Sequence, residues 1–540
     1  MRVSGNIVDV VNNEVFPGTI EFKDGFIKSI SRDTVKYETY ILPGLIDAHC
    51  HIESSMLCPS EFARIASVCG TIATVSDPHE IANVLGIDGV FFMMDNGRQV
   101  PFRFFFGAPS CVPATPFETA GASIDEETIE ILLKDPHIKY LSEMMNFPGV
   151  INNDPVVMKK IAIAKKYHKP IDGHAPGLTG ETLKKYIGAG ITTDHETFRY
   201  EEGEEKISLG MKLIIREGSA AKNFETLSPL IEKYPHLCMF CTDDIHPDEL
   251  VTGHINTIVK KAIQSGIDIM KVLRCACVNP VLHYGLDIGL LRVGDKADFI
   301  QVNSLEEMHV IRTFVNGEVV AENGKSYMTS TNTIHVNRFE TNKKTIEDFL
   351  IPGVKERTAN IIEVENKQII TGWLRSKLKP QKGFFKADPE RDILKLALIC
   401  RYNDTRPVVA FVKNFGLKKG AIASSVSHDS HNILVVGVSD EDICRAVNLV
   451  IENKGGFSVT SEDFQEVLPL PIAGLMTDED GYKVAKRYSI LDDLAKRLGS
   501  QLDSPFMTLS FMALPVIPRL KLSDQGLFDV DRLRFIEVFD

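Results

Sequence analysis

No stretch of this chain approaches the roughly 18 uninterrupted apolar residues of a membrane span, so the sequence predicts no helix that crosses a bilayer. The N-terminal M-R-V-S-G-N-I-V-D-V has no apolar core of the kind an export signal carries, and its alternation reads instead as a strand of the mature fold. There is no basic excess either. A net charge of −13 and a pI near 5.7 argue against a chain built to neutralise a phosphate backbone, and exclude nucleic acid as the expected partner. The ten cysteines are scattered, several in apolar settings such as Cys69, Cys400 and Cys444, which fits a reducing, cytoplasmic setting better than a disulfide framework. Cys238-x-x-Cys241 followed by Cys275-x-Cys277 superficially resembles a zinc ribbon, but the first pair lies in a buried-strand pattern and the second in a helix-like run. These are read as packing thiols. Internal repeats, low-complexity tracts and long linkers are also missing.

What the chain does have is metal-ligand residue types at the ends of predicted strands. D-A-H-C-H carries His49 and His51, S-E-M-M-N carries Glu143, D-G-H-A carries His174, T-D-H-E carries His195 and C-T-D-D carries Asp243. Four imidazoles and two carboxylates are what a pair of divalent cations needs if water is to become hydroxide at neutral pH. An isolated H-x-H or a lone strand-end histidine is weak, because a packed histidine bonded to backbone is commoner. The order of the set strengthens it.

The organisation around these residues changes character twice. Short alternating runs, with Asp24-Gly25 as a hairpin turn, fill the first forty residues. From Ile41 eight short strands alternate with helical stretches over about 240 residues, the size of a (β/α)8 barrel, whose catalytic residues gather at the C-terminal strand ends. Strand patterning then returns, with Asn316-Gly317 as a second hairpin. The predicted fold is thus an α/β chain with a small β-sandwich split between residues 1–43 and 284–335, a barrel over 44–283, and an α+β domain over 336–540.

The strand-one segment I-L-P-G-L-I-D-A-H-C-H and the exit segment N-P-V-L-H-Y-G-L-D-I-G-L-L-R-V-G-D-K-A-D-F-I resemble those of the amidohydrolase superfamily, over about residues 1 to 335. Within it the chain is most similar to the adenine deaminase family. H-I-E-S-S-M from His51, S-D-P-H-E-I from Ser76, P-S-C-V-P-A-T from Pro109, M-N-F-P-G-V from Met145, D-G-H-A-P-G from Asp172, R-E-G-S-A from Arg216 and C-T-D-D from Cys241 carry the likeness. So do S-H-D-S-H-N-I from Ser427 and L-P-L-P-I-A-G-L-M from Leu468 in the last domain.

The resemblance implies hydrolytic deamination of adenine to hypoxanthine and ammonia, in purine salvage. It assigns His49 and His51 to one ion, His174 and His195 to the other, Glu143 to both, and Asp243 to the first ion and to the proton of the attacking water. With no thiolate the set suits manganese, iron or zinc, and the resemblance favours two Mn2+ or Fe2+ ions. An acid must also protonate N1. Where related adenosine deaminases carry H-A-x-E, this chain has His174-Ala175-Pro176-Gly177, which disfavours a nucleoside deaminase of that type. Glu217 and His79 are the remaining acids, set against a salt bridge and a loop cap respectively; Ser219 is weighed as a substrate contact against a plain turn.

His428 and His431 read on composition as turn histidines, and the resemblance moves them toward the site, binding purine or a further ion. The rivals are a deacetylase or cyclic-amide hydrolase on the same scaffold and a barrel that binds without chemistry. Cyclic-amide enzymes typically use a carboxylated lysine where Glu143 stands. A homodimer is the expected assembly.

Overall fold

The computed structural model describes residues 1–219 and 221–540. Its first sheet is continuous and eight-stranded, and the chain enters it twice. Arg2–Asp9, Glu14–Lys23, Phe26–Arg32 and Tyr40–Pro43 come from the N-terminus; Phe299–Val302, Val310–Val315, Glu318–Glu322 and Lys325–Ser326 come from beyond the barrel. The seam is antiparallel, Tyr40–Pro43 against Phe299–Val302. Both hairpin dipeptides turn as expected: Asp24 and Gly25 have φ of 52° and 79°, Asn316 and Gly317 of 51° and 75°, the positive values that two-residue turns require. Phe22 packs edge-on to Phe299 and Phe314 with ring centroids 5.5 and 5.9 Å apart, so the sheet curls on itself around an apolar core.

Between the two halves lies the barrel. Its strands are β1 (Leu45–His51), β2 (Thr71–Ser76), β3 (Arg103–Phe106), β4 (Leu141–Met144), β5 (Ile171–Gly173), β6 (Thr193–Asp194), β7 (Lys212–Arg216) and β8 (Cys238–Cys241). Pairing is parallel from β1 through β3, between β4 and β5, and from β6 through β8. Backbone bonds continue the ring, Ala108 N–H to Tyr140 carbonyl at 2.9 Å between β3 and β4, and Thr192 N–H to Ile171 carbonyl at 2.9 Å between β5 and β6. Beyond β8, Asp243 pairs with Cys50 of β1 and closes the barrel. Every residue of β1 is buried, as a strand enclosed on both faces must be.

The return helices begin at cues the sequence supplies. Asp154 caps Pro155–Lys166 by accepting from Val156 and Val157 N–H, with proline at the first helical position.

The last sheet runs in the order Thr371–Leu378, Arg357–Val364, Val408–Lys413, Ile393–Ile399, Ile433–Gly437, Ala421–Ser424, Gly456–Thr460, Gln465–Pro469. Helix Asp440–Glu452 lays Ile443, Ala446, Val447 and Val450 across it. The loop before Ile433–Gly437 and the segment around Phe511 reach over the C-terminal ends of the barrel strands. Asn432 Nδ2 donates to Thr119 carbonyl at 2.9 Å, and Arg64 pairs with Asp480 at 2.7 Å.

Lys206, fully buried, ties the loop after β5 to the end of β6. Its ammonium donates to Ala175 carbonyl at 2.8 Å, Asp194 at 3.0 Å, Glu202 at 2.7 Å and Thr197 at 3.1 Å. Lys206→Met removes the cation and leaves two buried carboxylates uncompensated, which is expected to cost about 3–5 kcal/mol. Denaturant unfolding followed by tryptophan-independent circular dichroism reads that loss; an unaltered midpoint would show that the network contributes nothing.

Candidate active site

His49 and His51 stand two residues apart at the end of β1, so both rings leave the same face. Asp47, one step further back on that face, fixes them. It accepts from His49 N–H at 3.3 Å, from Thr242 N–H at 3.1 Å and from Thr242 Oγ1 at 2.5 Å, which locks the end of β1 to the end of β8. The His51 Nδ1 lies 3.1 Å from Asp77 carbonyl, and a proton held there leaves Nε2 as a free lone pair.

Those lone pairs converge. His49 Nε2 and His51 Nε2 are 3.2 Å apart, and Asp243 Oδ1 is 3.3 and 3.1 Å from them. Glu143, at the end of β4, divides its two oxygens. Oε1 is 3.3 Å from His51 Nε2, whereas Oε2 is 2.6 Å from His174 Nδ1 and 3.3 Å from His195 Nε2. Burial and the neighbouring His195 hold His49 below the ordinary imidazole range; burial also opposes charge on His51, but Asp243 and Glu143 outweigh it and raise that ring. Nδ1 of both His49 and His195 has no hydrogen-bond partner. A buried cluster of facing acceptors with so few donors is costly unless cations sit among them. Glu143, His174 and His195 form one group whose donor atoms lie within 4.8 Å of one another, and His49, His195 and Asp243 another.

The ten cysteines are free and buried, and none belongs to these groups. The donor set is therefore imidazole and carboxylate alone, which a divalent cation such as manganese, iron(II) or zinc accepts.

A narrow cavity of about 40 Å3 opens beside the cluster. His51, His79, Glu143, His174, His195 and Asp243 line its polar side. Met145, Ile369, Phe511, Leu514 and Ile517 make the apolar wall, most of it from the C-terminal unit. His79 sits among carboxylates, with Nδ1 3.1 Å from Asp77 and 3.4 Å from Glu143, and Nε2 3.5 Å from Glu80.

Three of the expected site residues, Glu217, Ser219 and His431, do not line the cavity. Glu217 follows Arg216 at the end of β7 and so faces the other way. It pairs with Lys261 at 3.1 Å, accepts from Phe224 N–H at 3.0 Å, and lines a separate groove with Thr242 and His254. The salt bridge is its role, and no acid stands there for the cavity. Ser219 donates to Glu249 at 2.8 Å and accepts from His246 N–H at 2.9 Å, on a surface outside the cavity. His428 does reach the cavity wall, but its Nδ1 is committed to Glu80 at 2.6 Å. His431 Nε2 bonds the other oxygen of Glu80 and stands behind it, away from the cavity.

Several residues of the site escape a strand-end search. Arg216 spans Glu196 and Asp243, reaching Asp243 Oδ2 at 2.5 Å and Glu196 Oε2 at 3.0 Å. It holds Asp243 so that Oδ1 is the oxygen left for His49 and His51. Glu80, Asp244 and Asp429 complete the rim. Ser54 donates to Asp244 at 2.5 Å. All lie within motifs already quoted: Ser54 in H-I-E-S-S-M, Glu80 in S-D-P-H-E-I, Glu196 in T-D-H-E, Arg216 in R-E-G-S-A, Asp244 in C-T-D-D and Asp429 in S-H-D-S-H-N-I.

A closed parallel barrel that turns imidazoles and carboxylates inward from five strand ends is the architecture of a metal-dependent hydrolase. The sequence comparisons agree. A model described as the amidohydrolase family matches residues 40–320, and one described as the adenine deaminase C-terminal domain matches residues 368–534. A protein named adenine deaminase from Sulfurovum sp. (strain NBC37-1) is 55% identical over 540 residues, covering 99% of each chain. Another from Methanosarcina mazei is 50% identical over 550 residues, covering 100% of this chain and 99% of that one, and one from Borreliella burgdorferi is 47% identical with 99% of each covered. This chain belongs to the adenine deaminase family of the amidohydrolases.

The Glu80 clamp carries a pH signature. Burial disfavours the His428 cation, but Glu80 outweighs it and pushes the ring from 6.5 up to about 9. A folded-state pKa raised above the unfolded one gives stability that is complete below pH 6.5 and lost as pH rises through about 9. The melting-temperature difference between the wild type and His428→Gln is expected to narrow steadily over that interval. A gap independent of pH would mean that the ring is neutral in the fold.

Proposed function

We propose that this chain hydrolyses adenine to hypoxanthine and ammonia at a binuclear centre held by His49, His51, Glu143, His174, His195 and Asp243. The observation that carries the reading is the division of Glu143, one oxygen toward His51 and the other toward His174 and His195. That is the placement a carboxylate shared between two cations requires. His49, His51 and Asp243 Oδ1 would hold one ion, and His174 and His195 the other, with His195 close enough to His49 and Asp243 to stand between the two positions. Two divalent cations bound there, Mn2+ or Fe2+ by preference and Zn2+ as the alternative, supply an activated water nucleophile near neutral pH.

The chain's own residues do the rest. Water adds to C6, and Asp243, next to that water, takes its proton and returns it to the departing amine. Arg216 keeps the Asp243 carboxylate in one orientation throughout. N1 gains a proton as C6 becomes tetrahedral, and His79, in the cavity wall and set between Asp77 and Glu80, is the donor we assign. As ammonia leaves, the C6 hydroxyl gives up its proton and His79 regains one, which leaves hypoxanthine and restores the enzyme. The apolar wall of Met145, Ile369, Phe511, Leu514 and Ile517 receives the flat faces of the base and displaces water. The buried free thiols suit a reducing, cytoplasmic setting.

Ultraviolet spectroscopy of the manganese-loaded protein with adenine, adenosine and cytosine in parallel, with ammonia assayed in each, tests this directly. Adenine alone is expected to be converted. Glu143→Ala is expected to lower the bound metal from about two ions per chain to one or fewer and turnover by about 10³-fold or more, whereas Glu217→Gln stays within about threefold of wild type. Silence with all three bases at two ions per chain would shift the assignment to an amide hydrolase on the same barrel.

A further inference from the structure

The SHDSH loop, residues 427–431, ends the cavity with a carboxylate, one oxygen of which has no hydrogen-bond donor among the described residues. Asp429 is 3% exposed, and its Oδ2 is buried without a hydrogen-bond partner. It lines the cavity, with His79 and Glu80 close enough that one donor atom from each of the three lies within 4.8 Å of the others. A buried carboxylate in that state has lost its hydration; the charges of His79 and His428 favour it, but its Oδ2 has gained no hydrogen bond in exchange. Burial pushes its carboxyl up to about 6, so a hydrogen-bond donor is what its charged form lacks.

Asp429 is also held rigidly. On one side His428 N–H donates to Ser510 carbonyl at 3.0 Å while its ring grips Glu80; on the other, Tyr402 Oη donates to Ser430 carbonyl at 2.6 Å and His431 N–H to Ser427 carbonyl at 2.7 Å. The histidines and Glu80 satisfy one another, leaving Asp429 Oδ2 as the loop's unpartnered carboxylate oxygen, beside the unpartnered Ser427 hydroxyl. Fixed in this way, an acceptor binds without further ordering.

We propose that Asp429 accepts the imidazole N–H of the free purine base and so selects bases over nucleosides. The inference rests on the deaminase reading above. The apolar wall of Phe511, Leu514 and Ile517 fits the faces of a flat heteroaromatic ring, and a carboxylate at the rim fits a ring N–H. A free purine carries one imidazole N–H, on N7 or N9. A base substituted at N9 carries none, and its imidazole ring offers Asp429 only the N7 acceptor and no proton. A site built around a buried polar partner rejects ligands that leave it unpaired far more strongly than an apolar slot rejects an added group.

The test uses the manganese-loaded full chain, with hypoxanthine and 9-methylhypoxanthine as competing ligands of adenine turnover. In Asp429→Ala, affinity for hypoxanthine is expected to fall about 10- to 100-fold and KM for adenine to rise to match, while 9-methylhypoxanthine shifts less than about threefold and kcat falls less than about threefold. Asp429→Asn, which keeps shape and packing, is expected to move the same ratio in the same direction by a smaller factor, and decides the matter if the alanine variant does not fold. A hypoxanthine to 9-methylhypoxanthine ratio that neither variant alters overturns the inference. So does a loss confined to kcat, which would make Asp429 a proton donor, or a third metal ion per chain that disappears with Asp429. Failure of the wild type itself to turn over adenine would instead overturn the deaminase reading and this inference with it.

Discussion

A single carboxylate shared between two pairs of imidazoles organises this molecule. Glu143 is 3% exposed, and it faces the ring nitrogens of His51, His174 and His195. Burying such a set without compensation would cost more than most folds can spare. On the reading proposed above, cations at its centre would reverse the sign, and the architecture around Glu143 keeps the ring nitrogens and carboxylates aimed there. Parallel strands bring five ends to one rim, Asp47 ties the first to the last, and Arg216 turns Asp243 the right way round.

The barrel alone leaves that rim open. The C-terminal unit covers it with an apolar wall and an acidic tip, and its grip on the barrel is electrostatic at one point. Glu80 receives a ring N–H on each oxygen, from His428 and His431, and the charged pair so formed lies within a few ångströms of His79. Docking and site completion are therefore the same event. Water is excluded when the clamp forms, which strengthens every polar contact inside.

Much of this was legible in the sequence, for reasons that are local. A strand-end H-x-H places two rings on one face whatever surrounds it, and D-G or N-G flanked by alternating residues turns a hairpin. Lone His174 and His195 gained meaning only from the order of the whole set. Glu217 and Ser219 show where such reading stops. Strand alternation puts Arg216 inward and Glu217 outward, but the strand is too short and too thoroughly buried for its inner face to be read from pattern. Ser219 looked outward for the same reason. Glu80 and Asp429 stand in the quoted motifs S-D-P-H-E-I and S-H-D-S-H-N-I, but their roles were illegible in a different sense: the partners of Glu80 lie 348 and 351 residues away, and no local pattern marks a charge that the tertiary fold alone satisfies or leaves unsatisfied.

The seam of the first sheet has a consequence during synthesis. Pro43 pairs with Phe299, and 256 residues separate them. At ~5–20 residues per second the ribosome needs on the order of ten to fifty seconds to deliver the second strand. For that interval Tyr40–Pro43 is a nascent edge, its backbone groups open to any strand that drifts past. Its burial pattern, three buried residues in four, makes it an adhesive one. The barrel that carries the chemistry must condense while its own foundation is half built, so a crowded polysome is where this fold is most exposed to mispairing.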